Sequence, residues 1–188
     1  MVRRGWCLAV AVAAAAVALA GCSDDGGDGD AGQPPITGEP TPATLPDDVD
    51  PGTGMLVLDG DGYQLDVREC TLVPSTDPAT GVTTDLAIDA DDGLGLAVSI
   101  TRTTTQGDVP TVNDTVTVVD PEGTVQEANR ADIDGRIVDL LAEGALTPLL
   151  TVDGDLVTGS GVFGPRGARP GDEGLVEGSL IVRCPPAG

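Results

Sequence analysis

Cys22, at the end of Leu19-Ala20-Gly21-Cys22, is the residue whose neighbours best prepare it for chemistry. A thiol at a bilayer surface is the nucleophile that a lipidating transferase needs. The peptidase that follows cuts before such a cysteine where small, unbranched residues precede it, as Ala20 and Gly21 do here. Upstream, Arg3 and Arg4 make a positive n-region and Leu8 to Leu19 an almost unbroken apolar run, which together form signal-peptide anatomy. The run is short for a membrane span of ~20 residues. The expectation is that residues 1–21 are removed as a lipoprotein signal peptide and that Cys22 carries the diacylglycerol and palmitate-type acyl chains. That places the protein at the extracytoplasmic face of the cell membrane, anchored by lipid. Arg3-Arg4 followed by Gly5-Trp6 is loosely similar to a twin-arginine signal, but two arginines are also an ordinary n-region, so general secretion is the expected route.

The remaining candidates for chemistry are poorer. The chain has no histidine, the commonest general base. Ser160, in Gly159-Ser160-Gly161, therefore has no imidazole to activate it and reads as a strand residue between small neighbours. Carboxylates are plentiful enough for a glycosidase-like pair, but Tyr63 and Phe163 are the sole rings after Trp6 on which a sugar could stack. Zinc and copper sites call for histidine or thiolate, leaving only a hard, oxygen-bound cation such as calcium. Asp59/Asp61, Asp89/Asp91/Asp92 and Asp153/Asp155 are the clusters to consider, and none continues as a calcium loop does. They read as solvated turns. The expectation is no catalytic residue, no metal and no cofactor.

Charge narrows the partners. Thirty-one acidic residues stand against nine arginines and no lysine, for a formal net charge of -22. Such a field repels phosphate backbones and anionic headgroups, which argues against nucleic acid and leaves the lipid to hold the protein to its membrane. Two acyl chains on one cysteine are about what stable attachment requires. Of the four cysteines, Cys7 lies in the apolar run and Cys22 takes the lipid. Cys70 and Cys184 remain, in an oxidising compartment where thiols pair, and a disulfide between them is expected.

These residues need elements to position them. Residues 22–54 open with an acidic Asp/Gly run and continue through Pro34, Pro35, Pro40, Pro42 and Pro46, a composition that reads as a disordered tether, bare or O-glycosylated. Residues 55–188 form the expected β-rich domain. Met55 to Leu58, an Asp-Gly turn, and the alternating Tyr63 to Cys70 make an entry hairpin. Further strands are read over 85–90, 94–101, 111–119, 149–152, 156–163 and 175–184. One short helix is expected after Asp132, with Ile133, Ile137, Leu140 and Leu141 at near-helical spacing and Gly144 at its end. About eight short strands with Gly/Asp turns argue for a mainly β fold, a small antiparallel sandwich or half-barrel.

The chain resembles the mycobacterial lipoprotein antigens of the LpqH type. The resemblance is carried by the lipobox at Cys22, the Pro/Thr/Gly-rich spacer, the entry hairpin Leu56-Val57-Leu58-Asp59-Gly60 leading to Cys70, the Val152-Asp153-Gly154 turn and the ending Ile181-Val182-Arg183-Cys184-Pro185. It implies a surface lipoprotein with a small β-rich domain, a disulfide on Cys70 and Cys184, and a non-enzymatic, antigen-like or interaction role with a protein partner at the cell surface. Between Glu122 and Leu150 this chain is longer, more acidic and more aliphatic than that pattern. The surplus of aliphatic residues from Ile133 to Leu150 either completes a core or covers a cavity for an apolar ligand such as an acyl chain. The second option makes the protein a binding module.

Overall fold

Alternation between apolar and polar residues is realised as strand along nearly the whole domain. A computed structural model describes residues 43–142 and 147–186; Leu19, Ala20, Gly21, Cys22 and Gly144 lie outside the described residues. The strands are β1 (Thr53–Leu58), β2 (Asp61–Thr71), β3 (Ser75–Thr76), β4 (Val82–Asp91), β5 (Ala97–Thr105), β6 (Thr111–Val119), β7 (Val125–Ile133), β8 (Arg136–Asp139), β9 (Leu150–Asp153), β10 (Leu156–Pro165) and β11 (Val176–Arg183).

Eight of them form an antiparallel barrel in the order β7-β6-β5-β4-β2-β1-β11-β10, with β10 returning to β7. The fold is thus all-β and antiparallel as expected, and closed rather than a half-barrel. Closure uses two residue pairs, Gly164 with Glu127 and Pro165 with Gln126. Past that seam β7 pairs with β8, and β10 pairs with β9. Closing a sheet on itself removes the edge strands that would otherwise template aggregation.

The helix expected after Asp132 is not formed. Ile133 pairs with Arg136 across a two-residue turn in which Asp134 and Gly135 both take positive φ, 53° and 77°. Asp-Gly is the pair that such a hairpin turn selects, because glycine adopts the left-handed region at no steric cost and aspartate tolerates it. The helical spacing was therefore a coincidence of two strands. Ile137 faces the interior beside Asp132, while Ile133 and Val138 face outward.

Inward residues fill the barrel: Leu56, Leu65, Ile88, Ile100, Val116 and Leu180 are all 2% exposed or less. Phe163 is the one ring in this aliphatic core, and Gly178 makes room for it. A Cβ on Gly178 would stand 2.6 Å from a ring carbon. Cys70 on β2 is bonded to Cys184, one residue past β11, with a Cα–Cα distance of 5.8 Å.

The wall of the barrel starts earlier than the expected boundary at Met55. β1 begins at Thr53, and the segment from Ala43 to Asp50, read from composition as tether, runs along the outside of β1 and β11 as a strap. Its upstream end donates from Ala43 N to Gly60 O at 2.8 Å, and Leu45 shares a hollow with Thr158 and Ser179. At its downstream end Asp48 meets Arg183 at 2.8 Å. Val57 and Ile181 point outward by register and are nevertheless buried, at the place where the strap crosses.

Candidate functional site

Four ionisable residues share one level of the barrel wall. Arg102 on β5, Asp114 on β6, Arg130 on β7 and Asp139 on β8 are direct neighbours from strand to strand. They have the parity of Ile100, Val116 and Ala128, so this row of alternating charge faces the interior. Arg102 donates from Nε and Nη2 to the two oxygens of Asp114 at 2.7 and 2.9 Å. Arg130 donates from Nε to Asp139 Oδ2 at 2.8 Å, and its Nη2 stands 2.8 Å from the same oxygen. The side chains of Arg130 and Asp139 are 6% and 1% exposed. Buried charge on this scale is tolerated only when it is paired and hydrogen-bonded.

Further hydrogen bonds tie the row to the chain that runs from β8 into the start of β9. Arg130 Nη1 donates to Thr147 O at 2.7 Å and Arg102 Nη2 to Leu150 O at 2.9 Å. Leu150 N donates to Asp114 Oδ2 at 3.1 Å, and Leu141 N to Asp139 Oδ1 at 2.7 Å. The row therefore latches both ends of that connection to the barrel. Hydrogen bonding to Asp114 holds the Arg102 guanidinium above its ordinary pKa, so it stays charged and has no proton to give at neutral pH. Beside the row lies a hollow of about 230 Å³ lined by Arg102, Asp114, Asp132, Ile137 and Leu149 among others. That is smaller than the roughly 300–1,000 Å³ of ordinary small-molecule sites.

The residues singled out in the sequence are distributed differently. Ser160 is exposed on the outer wall of β10. Asp92 is consumed by its own turn, its Oδ1 accepting from the N–H groups of Leu94, Gly95 and Leu96 at 2.7, 3.0 and 2.9 Å. Asp91 pairs with Arg68 and accepts from Gly93 N. Three turn carboxyls lie below the usual range: Asp91 through the Arg68 hydrogen bond, Asp77 through the Ala79 N–H and Asp120 through the Thr124 N–H. Tyr63, which packs against the core, has its hydroxyl pKa raised by burial and then by Asp61, Asp92 and Asp120. Among the described residues, no three His, Cys, Asp or Glu side chains converge as metal ligands.

The aliphatic surplus of Ile133 to Leu150 is divided. Leu149 and Leu150 join the core at 2% exposure each, while Leu140 is 65% exposed. The ladder residues escaped sequence reasoning, although Arg102, Asp114 and Arg130 each sit two positions from a buried apolar residue and Asp139 two positions from the half-buried Ile137, so that all keep the period of two. Charge at a core position was the available signal. No protein-family model, curated protein or solved structure matches this chain.

Proposed function

We propose that this chain is a lipid-anchored envelope lipoprotein of the LpqH-like kind, held at the extracytoplasmic surface through Cys22, whose barrel is a non-enzymatic interaction module working through its outer wall. One observation carries the second half of this reading. The four charged groups of the ladder are bonded to one another and to the backbone, although Asp132 Oδ1 beside them is buried without a partner; this supports an interior that mainly holds its shape and an outer wall that meets partners. The first half rests on the lipobox and on an acidic charge that would otherwise keep the protein away from an anionic membrane.

The test is to express the full chain and its Cys22→Ala variant in a bacterial host with a lipoprotein pathway, supplied with a labelled fatty acid. The wild type should take up label, partition into detergent and react with antibody on intact cells. The variant should be unlabelled and recovered in the aqueous phase. Label on the variant, or its absence from the wild type, refutes the anchor. Native mass spectrometry of the exported, non-reduced chain addresses the carrier alternative. Extra mass released as lipid from the unacylated variant would make the barrel a carrier of an apolar ligand.

A further inference from the structure

The outer wall is strongly acidic by composition, yet one part of it carries no charge. On β5, β6 and β7 the outward residues stand in register as Thr101–Thr115–Asn129 and, one level along, Thr103–Asn113–Ala131. Antiparallel strands are spaced ~4.8 Å apart and alternate residues on a strand lie ~6.8 Å apart, so the threonines and asparagines form a grid of neutral hydroxyl and amide groups with the Ala131 methyl at one corner. Each hydroxyl both donates and accepts, and each amide does the same from separate atoms. The grid is ordered from within: Asn113 and Asn129 donate from Nδ2 to Thr115 Oγ at 3.3 and 3.0 Å, which leaves the Thr115 proton for a third partner.

A second observation on the same face points to a ligand. The next level along is Ser99–Thr117–Glu127, with Glu127 paired to Arg166 at 3.6 Å, and on the β5–β6 side of it the wall sinks into a hollow of about 280 Å³ floored by Ala97 and Val119. Arg68 and Asp91 stand at its rim, joined by two hydrogen bonds from Nε and Nη2 to the two carboxylate oxygens. That pair offers donors and acceptors side by side with no net charge. Asp89 adds one exposed acceptor.

We infer that this face, from the Arg68–Asp91 hollow across the grid to Asn113, binds a neutral polysaccharide strand. An anionic partner would meet the repulsion of a chain carrying -22, and a strongly cationic one would prefer the carboxylate-rich loops to a stretch of wall where Asp91 and Glu127 are already paired with arginines and Asp89 stands alone. An uncharged, hydroxyl-bearing chain suffers neither effect and finds complementary donors and acceptors at each step. A shallow apolar floor ringed by polar groups suits the face of one sugar ring. Among the described residues no aromatic side chain lies on this face for stacking, so affinity comes from many weak contacts along the strand and grows with polymer length. The inference rests on the reading of the barrel as an interaction module and supplies its partner; it is independent of how the chain is anchored.

The test is native gel electrophoresis of the full exported chain, in a detergent without a sugar headgroup, through gels cast with dextran, mannan, galactan or xylan. The acidic chain migrates fast, so retardation is read directly. At least one polymer should lower relative mobility by about twofold, as a weak, millimolar-range association does. Thr103→Glu with Thr115→Glu should abolish the retardation, whereas Val73→Glu with Val109→Glu, which adds the same charge on exposed loops, should keep it. Retardation by none of the four polymers overturns the inference, as does equal loss in both variants. Self-association that disappears with Thr103→Glu/Thr115→Glu, without any polysaccharide effect, would assign the face to a second copy instead. Failure here leaves the Cys22 labelling result untouched, so the two readings are judged separately.

Discussion

Replacing Arg130 with methionine tests the interior ladder most directly. The substitution keeps the length of the side chain and removes its charge. It leaves the carboxylate of Asp139, 1% exposed, without its counter-ion, and leaves Thr147 O without its donor. Removing one partner of a buried pair costs about 3–5 kcal/mol, because the other charge stays buried. The Leu141 and Ala142 N–H groups still donate to Asp139 Oδ1, which places the expected loss toward the lower end of that range. At roughly 2–4 °C per kcal/mol for a domain of this size, the melting temperature falls by about 6–15 °C. Urea unfolding of the non-reduced chain, followed by far-ultraviolet circular dichroism with unchanged slope, gives the free energy. Arg130→Met with Asp139→Leu should recover much of the loss, since a matched apolar pair has no stranded charge. Arg68→Met is the exposed control and should fall within experimental error. If Arg130→Met behaves like Arg68→Met, the ladder does not hold the barrel and the reasoning fails.

Three further outcomes are expected. Reducing Cys70–Cys184, or changing both to alanine, opens a loop of 114 residues and should cost about 4–5 kcal/mol on the chain-entropy estimate, measured by the shift in urea midpoint between reduced and oxidised protein. Asp77, Asp91 and Asp120 have folded pKa values below their ordinary 3.8, so the native state binds fewer protons than the unfolded chain. The stability they contribute is complete above that value and is lost as pH falls through the lowered ones. Unfolding free energy measured from pH 5 to pH 2 should decline, and the decline should flatten when all three are changed to asparagine. Leu45→Asp with Asp48→Asn should lift the strap, cost about 1.5–3 kcal/mol as Val57 and Ile181 meet water, and speed hydrogen exchange at those two positions ahead of the core.

The strands that alternate Leu, Ile or Val with polar residues were legible in the sequence, because Leu65 and Val67, Leu86 and Ile88, and Val116 and Val118 declare which face is buried. The Asp59-Gly60 turn was legible for the same local reason. β7 was not. Its inward positions are Gln126, Ala128, Arg130 and Asp132, only one of them apolar, so the period of two exists in geometry without appearing as hydrophobicity. Missing β7 meant missing the strand that closes the barrel, which is why an open half-barrel was the natural expectation. The same charges that conceal the strand compose the ladder. Pairing across four strands joins residues from Arg102 to Asp139, and no local window can bring them together. The strap was hidden by composition: proline and aspartate resemble a tether until Asp48 meets Arg183, 135 positions away in the chain.

The placement of the strap has a mechanical consequence. If the barrel is gripped at its outer wall while the chain upstream of it is held, as the proposed lipid anchor would hold it, tension runs along the chain toward Ala43. It first peels the strap, breaking the Ala43–Gly60 and Asp48–Arg183 contacts in turn, and only then reaches Thr53 at the head of β1. β1 lies between β2 and β11, and the bond between Cys70 and Cys184 joins those two flanking strands close to where β1 begins. Pulling β1 away thus cannot part its neighbours beyond that covalent bridge. The strap acts as strain relief on a cable, yielding some length under load before the wall is stressed, and the disulfide limits how far a tear can run.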